Sequence, residues 1–171
     1  VSGDTFGKLF DGQSNIGYQD VFVSKYSQDG TRIWTKILGS SGYDYATAII
    51  TSIDDSLYVG GRTTGFLDGQ IATSNLSAFV TKFNPDGTKV WTRLLGLSGY
   101  DYVNAIATGT DGSIYLAGQT GAEDGRYKSI YAEGYVAKYL PNGAKDWTLR
   151  IGTSGFDQVN AITLGPDGSI Y

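Results

Sequence analysis

The 171-residue chain is 40% hydrophobic and 18% charged, with 25 glycines against 3 prolines, which fits a folded chain of many tight turns rather than a disordered one. Its net charge is −4 and its pI near 4.6, with no cluster of Lys or Arg; this argues against nucleic acid and anionic membrane as partners, because phosphate binding needs concentrated positive charge. Cysteine, histidine and methionine are absent, which removes disulfides, thiolate metal sites and the commonest general base, and no apolar run approaches the roughly 20 residues that span a bilayer.

Taken in chain order, the sequence says one thing three times. Val1-Ser2-Gly3-Asp4-Thr5 reads as the end of a strand, and a loop over Lys8–Ile16 follows. Asp20–Ile49 then runs DVFVSKYSQDGTRIWTKILGSSGYDYATAI, and Asp54–Thr63 runs DDSLYVGGRT. After a second loop, Phe66–Leu76, the same phrases return as AFVTKFNPDGTKVWTRLLGLSGYDYVNAI over Ala78–Ile106 and DGSIYLAGQT over Asp111–Thr120. A third loop leads into GYVAKYLPNGAKDWTLRIGTSGFDQVNAI over Gly134–Ile162, and Asp167–Tyr171 gives DGSIY. Trp34, Trp91 and Trp147 mark the repeat at intervals of 57 and 56 residues.

Val1–Thr5 matches Val59–Thr63 and Leu116–Thr120, so Tyr171 of one copy would lead into Val1 of another. The chain thus holds three whole units in circularly permuted register, and its lack of any Met reads as a processed, excised or engineered piece. In the middle copy, alternation predicts strands near Val103–Thr108, Ser113–Gln119, Ala78–Phe83 and Lys89–Leu95. Asp86-Gly87, Asn142-Gly143 and Asp111-Gly112 read as hairpin turns, since Gly tolerates the positive φ such turns demand. No segment has the 3.6-residue period of an amphipathic helix. Four short antiparallel strands per unit predict an all-β chain of three β-propeller blades within one repeat domain, 1–171. The expected blade units are 1–45, completed by 159–171 of a neighbouring copy, then 46–102 and 103–158. Trp34, Trp91 and Trp147 are expected to pack between blades.

The pattern F-V-x-K-x-x-x-D-G-x-x-x-W, a Gly-Ser-Gly-Asp loop and A-I-x-x-x-x-D-G-x-x-Y-V-x-G resembles the bacterial SBBP β-propeller repeat. Asn142 in the third turn and Asp54-Asp55-Ser56 in the first are mild departures. The resemblance implies a secreted or cell-surface bacterial protein with no catalytic activity. By analogy with similar blades, the A-I-x-x segment is innermost and the Trp strand outermost. The Ser-Gly-Tyr-Asp-Tyr connections and the long loops then share one face, the one expected to bind, since loops on a rigid scaffold carry recognition.

Three blades cannot close a ring. The C-terminal Ala161–Tyr171 segment with Val1–Leu38 of a neighbour would complete a blade, which predicts a head-to-tail homo-oligomer, six blades from a dimer, unless adjoining blades of a longer chain close it. Carboxylates are the remaining candidates for chemistry. Asp44, Asp101 and Asp157 recur once per blade, which speaks for loop-holding bonds rather than for one asymmetric active site. No cofactor is expected. Calcium is the rival reading, but no Asp-x-Asp-x-Asp-Gly loop exists, and Asp11-Gly12, Asp68-Gly69 and Asp124-Gly125 are isolated. Glu123, Asp124 and Glu133 are the one acidic cluster worth testing for hydrolysis.

The sequence therefore reads as a non-enzymatic, self-assembling scaffold with binding at a bacterial surface. The alternative is a repeat lectin for glycans, or a peptide binder, with one site per blade. Its sites would be Tyr43/Asp44/Tyr45, Tyr100/Asp101/Tyr102 and Phe156/Asp157, joined by Tyr127 and Tyr131 of the charged, aromatic third loop.

Overall fold

The computed structural model describes residues 1–7, 12–71, 76–97, 99–121 and 131–171. Among the described residues there are eleven strands and no helix. The first sheet holds β1 (Ser2–Thr5), β2 (Asp20–Tyr26) and β3 (Arg32–Leu38). The second holds β4 (Asp44–Thr51), β5 (Leu57–Thr63), β6 (Ser77–Phe83) and β7 (Lys89–Leu94). The third holds β8 (Tyr100–Thr108), β9 (Ile114–Gly121), β10 (Ala132–Tyr139) and β11 (Lys145–Ile151). Every pairing within a sheet is antiparallel between chain neighbours. The chain is all-β, with three antiparallel meanders consistent with propeller-like blades. β8 starts at Tyr100, ahead of the expected Val103. The Asp101 amide donates to the Leu76 carbonyl at 2.9 Å, and Tyr100 pairs with Gly121, so the ladder extends into the connection between sheets.

Period-two alternation feeds a different layer from each face of a sheet. Val21, Val23 and Leu38 of the first sheet meet Val59, Phe79 and Phe83 of the second. From the other face of that second sheet, Tyr58, Ala78 and Val80 meet Val103, Ile106, Leu116 and Tyr135 of the third. Beyond it, Ala117 and Val136 carry Val159, Ile162 and Leu164 of the C-terminal segment. There the Val159 amide donates to Gly118 O at 3.1 Å, and Thr163 and Tyr171 exchange backbone hydrogen bonds at 3.0 and 2.9 Å, opening a hairpin.

A small set of contacts joins neighbouring sheets and recurs from one junction to the next. The Trp34 indole N–H donates to Pro85 O at 3.2 Å, and the Trp91 N–H to Pro141 O at 3.3 Å; both acceptors lie in the β-hairpin of the following sheet. Gly87 and Gly143 lie under those indoles at φ +83° and +82°, where a Cβ would come within 3.0 and 2.9 Å of the ring. Toward the inner edge, β4 and β8 each carry a bulge, at Thr47 and Asn104. The bulge re-aims the extra side chain toward the next segment. Thr47 donates to Val103 O and Asn104 to Val159 O, the latter at 2.9 Å.

The Asp-Gly hairpins are held by their own carboxylates. Asp86, Asp111 and Asp167 accept the amides of Thr88, Ser113 and Ser169 at 2.8, 2.9 and 3.0 Å, and these bonds hold all three carboxyls below their ordinary range. A value lower in the folded chain than in the unfolded one stabilises the fold above the unfolded pKa, about 4, and that contribution is lost as pH falls through the folded value. The urea midpoint is therefore expected to be lower at pH 3 than at pH 6, and Asp111→Asn to narrow the gap. An unchanged gap in the variant would remove the turns as its source.

Candidate functional site

The connections between sheets and the β5–β6 and β9–β10 loops emerge at the same end of the strands. There each connection is stitched to the sheet before it: the amides of Asp44, Asp101 and Asp157 donate to Gln19 O, Leu76 O and Ala132 O at 2.8, 2.9 and 2.7 Å. The carboxylates turn back into their own loops. Asp44 Oδ2 accepts the Ser40 amide at 2.7 Å and its hydroxyl at 2.8 Å. Asp101 accepts the Leu97 amide at 3.0 Å and the Thr120 hydroxyl at 2.5 Å. Asp157 accepts the Thr153 amide at 2.7 Å and hydroxyl at 3.0 Å. Asp20 does the same for Ile16 and Gly17, at 2.5 and 3.2 Å. Asp44 is fully buried, and burial pushes its carboxyl up against the opposing pull of the Thr63 and Ser40 hydrogen bonds.

With those carboxylates engaged, the aromatic side chains form the surface. Tyr43 is 43% exposed and stacks on Tyr18, ring centroids 5.3 Å apart at 14°. Tyr45 and Tyr102, from neighbouring sheets, both lie against one guanidinium. Arg62 Cζ lies 4.4 Å from the Tyr45 ring centroid and 5.1 Å from that of Tyr102. Tyr43, Tyr45, Arg62, Thr64, Leu76 and Tyr102 line a shallow cleft of about 270 Å³. Beneath it the buried Tyr135 hydroxyl donates to Tyr102 O at 2.8 Å, fixing the strand that carries one wall. Arg62 Nε is buried with no acceptor, and no carboxylate among the described residues lies within ion-pair reach of this side chain.

The remaining sequence candidates are dispersed. Tyr100 bridges to Leu76 and Phe156 to Ala132, so their backbones belong to the stitching between sheets, with the Phe156 ring 53% exposed. Tyr131 lies with Glu133 and Arg150 at a separate cleft of about 270 Å³, where Arg150 donates to Glu133 at 2.6 Å. Tyr127, Glu123, Asp124 and Asp11 lie outside the described residues. Asp68 holds its loop to β7 through Lys89 and Thr92. Among the described residues no three acidic side chains converge as a metal site would need. Arg62 is the residue the sequence reading missed. Its signal is the variable position of the Gly-Gly-Arg-Thr strand, where the other copies have Asp4 and Gln119.

Comparison with known proteins places this geometry. Residues 90–126 match the SBBP beta-propeller repeat. That stretch runs from β7 across the inter-sheet connection into β8, β9 and the loop beyond, so the SBBP unit straddles a sheet boundary and ties neighbouring sheets covalently. Two relatives align with 90% of the chain: an uncharacterized WD repeat-containing protein, L264, of Acanthamoeba polyphaga mimivirus at 24% identity, and the regulatory protein FlaEY of Caulobacter vibrioides at 25%. The chain spans 14% and 18% of their lengths. A crystal structure of a protein of unknown function from Bacteroides caccae is similar over 88% of this chain and 47% of its own, with a TM-score of 0.49 and 11% identity. Repeats of this kind fit a scaffold or binding role.

The loop anchors give a graded prediction. Asp44→Ala strands the buried Ser40 amide and is expected to cost about 1–3 kcal/mol in urea unfolding. Asp157→Ala, whose bonds face solvent, is expected to cost less. Equal losses would mean that burial of the anchor does not set its contribution.

Proposed function

We propose that the chain is a non-enzymatic β-propeller scaffold that self-associates head to tail and presents its loop face for recognition. The observation that carries this reading is a contact set repeated at two junctions, with its two halves left open at the ends of the stack. Trp147 corresponds to Trp34 and Trp91 but has no hydrogen-bond acceptor among the described residues, whereas the first hairpin offers Gln28 O at the position of Pro85 and Pro141. Gly30, the counterpart of Gly87 and Gly143, has φ +85° and open space where their Cβ positions meet an indole.

Exposure tells the same story. Tyr26 is 44% exposed, yet its equivalents Phe83 and Tyr139 are each 2%. Ile151 is 46% exposed against 2% and 4% for Leu38 and Leu95. β1 has one neighbour, β2, on the side where β5 and β9 also have a strand on the other. By equivalence with β4 and β8, the strand that fits there is Asp157–Leu164 of a second copy. Tyr171 of that copy would lie beside Trp34, as Tyr58 lies 5.8 Å from Trp91 and Tyr115 lies 6.0 Å from Trp147. A cavity of about 490 Å³ at Val1, Tyr26 and Trp34 has room for that ring. The Lys25 ammonium next to it matches Lys82 and Lys138, which sit 5.5 and 5.8 Å from the Tyr58 and Tyr115 rings. In a second copy Asn160, in the place of Thr47 and Asn104, would reach Ala46 O.

Light scattering across a concentration series tests the reading. A mass of twice 18.3 kDa is expected, a ring of six sheets from two chains. Three times that mass would keep self-association with a larger ring. Ile151→Lys and Tyr26→Lys change residues already exposed in the single chain, so both are expected to return 18.3 kDa with sheet content unchanged by circular dichroism. A folded monomer for the parent chain overturns the proposal.

A further inference from the structure

Of the three quasi-equivalent positions on the second strand of each unit, one alone carries a cation. Asp4 accepts the Ala46 amide at 2.8 Å and Gln19 Nε2 at 3.3 Å, which engages both of its oxygens within the fold. Gln119 is the neutral counterpart in the third sheet. Arg62 differs from both in charge: it is a half-buried guanidinium, in a chain of net charge −4, with no carboxylate in ion-pair reach among the described residues. A contact that merely filled the gap between sheets would be expected to recur with the repeat, as the Trp–carbonyl bond does. This one does not recur.

The surroundings narrow what can approach. The Tyr45 and Tyr102 ring centroids lie 4.4 and 5.1 Å from the guanidinium carbon, so the charge sits in an aromatic setting at the cleft. A guanidinium pairs well with a carboxylate, whose oxygens accept its N–H bonds, and low-dielectric walls strengthen such bonds. Beside Arg62 stands Tyr43, stacked on Tyr18 and with its amide held by the Thr64 hydroxyl at 2.8 Å. Flat aromatic rings with hydroxyl tips suit a sugar, which offers a C–H face for the ring and hydroxyls for the rim. The cleft, at about 270 Å³, is the size of a single sugar unit rather than of a long peptide.

We propose that the Arg62 cleft binds one carboxylate-bearing sugar residue, a uronate-type unit of an acidic glycan. This rests on the reading of the loop face as a recognition surface. The carboxylate pairs with the guanidinium and the pyranose ring lies against Tyr43.

Calorimetric titration of the whole chain with D-glucuronate, D-glucose and N-acetyl-glutamate amide tests it. One glucuronate site per chain is expected, with glucose at least 10-fold weaker. Arg62→Gln places at this site the residue that the third sheet already carries at the same position, so the fold tolerates it. It is expected to weaken glucuronate at least 10-fold, with unchanged solution mass and thermal midpoint, and Tyr43→Ala to weaken it several-fold. Glucuronate binding no tighter than glucose, or unaffected by Arg62→Gln, overturns the site. Equal binding of the glutamate derivative overturns the sugar assignment in favour of a peptide carboxylate. Because the mass of the Arg62→Gln variant is read separately, failure of the site and failure of self-association are distinguishable.

Discussion

The second and third sheets are apolar on both faces, and that constraint governs much else about the chain. Val59 and Tyr58 are neighbours on one strand, yet they belong to layers on opposite sides of the second sheet. A sheet of this kind can be stable only between two others, because leaving one face in water forfeits about 25 cal/mol for every Å² of apolar surface that a neighbour would have removed. Stacking in one direction, with the right-handed twist that sheets carry, leads naturally to radial repetition. β4 packs beside β8, and β1 meets β4 as β5 meets β8, while the Trp34 and Trp91 indoles span the gap at the opposite edge of the sheets.

Two kinds of contact hold the sheets at their spacing, and they act at opposite edges of the sheets. On the outer side an indole rests on a glycine and donates to a hairpin carbonyl. A side chain at the glycine would push the hairpin away, and its positive φ disfavours any other residue. On the inner side a bulged Thr or Asn reaches the next inner strand. The aspartates at the loop end form a third device. By accepting amides of the connection that precedes them, they fix the path by which the chain leaves one sheet and enters the next. Their bonds engage much of the polar surface of these loops, while the Tyr18 and Tyr43 rings stay exposed.

Much of this was legible in the sequence, for a physical reason. Turn chemistry and large aromatics are local demands, so the Asp-Gly hairpins and the three Trp residues announce themselves at every repeat. The pairing of β1 with β2 was legible because Val1–Thr5 repeats Val59–Thr63 of the strand that pairs with β6. What stayed hidden depends on relations between units. The bulges at Thr47 and Asn104 cannot be read from alternation, since one extra residue in a strand leaves no compositional mark. The early start of β8 depends on a hydrogen bond to Leu76 of another sheet. Arg62 was passed over because comparing the copies highlights what they share, and its equivalents are Asp4 and Gln119.

That last omission points to a general feature of repeats used as scaffolds. Positions under the same structural demand carry the same residue type in each copy, and they report on packing. Positions free of that demand are where one copy can differ from its sisters without loss of fold. Gln119 shows that the strand tolerates a neutral side chain where Arg62 stands, so the guanidinium is not required by the sheet. Both positions leave a buried polar atom without a partner among the described residues, Arg62 Nε in the second sheet and Gln119 Oε1 in the third, so it is the charge that sets the arginine apart. With no carboxylate among the described residues within ion-pair reach, the proposed ligand would supply the counter-charge, at a cleft whose tyrosines Tyr45 and Tyr102 come from two different sheets. On that proposal, recognition would belong to a pair of neighbouring sheets rather than to any single repeat.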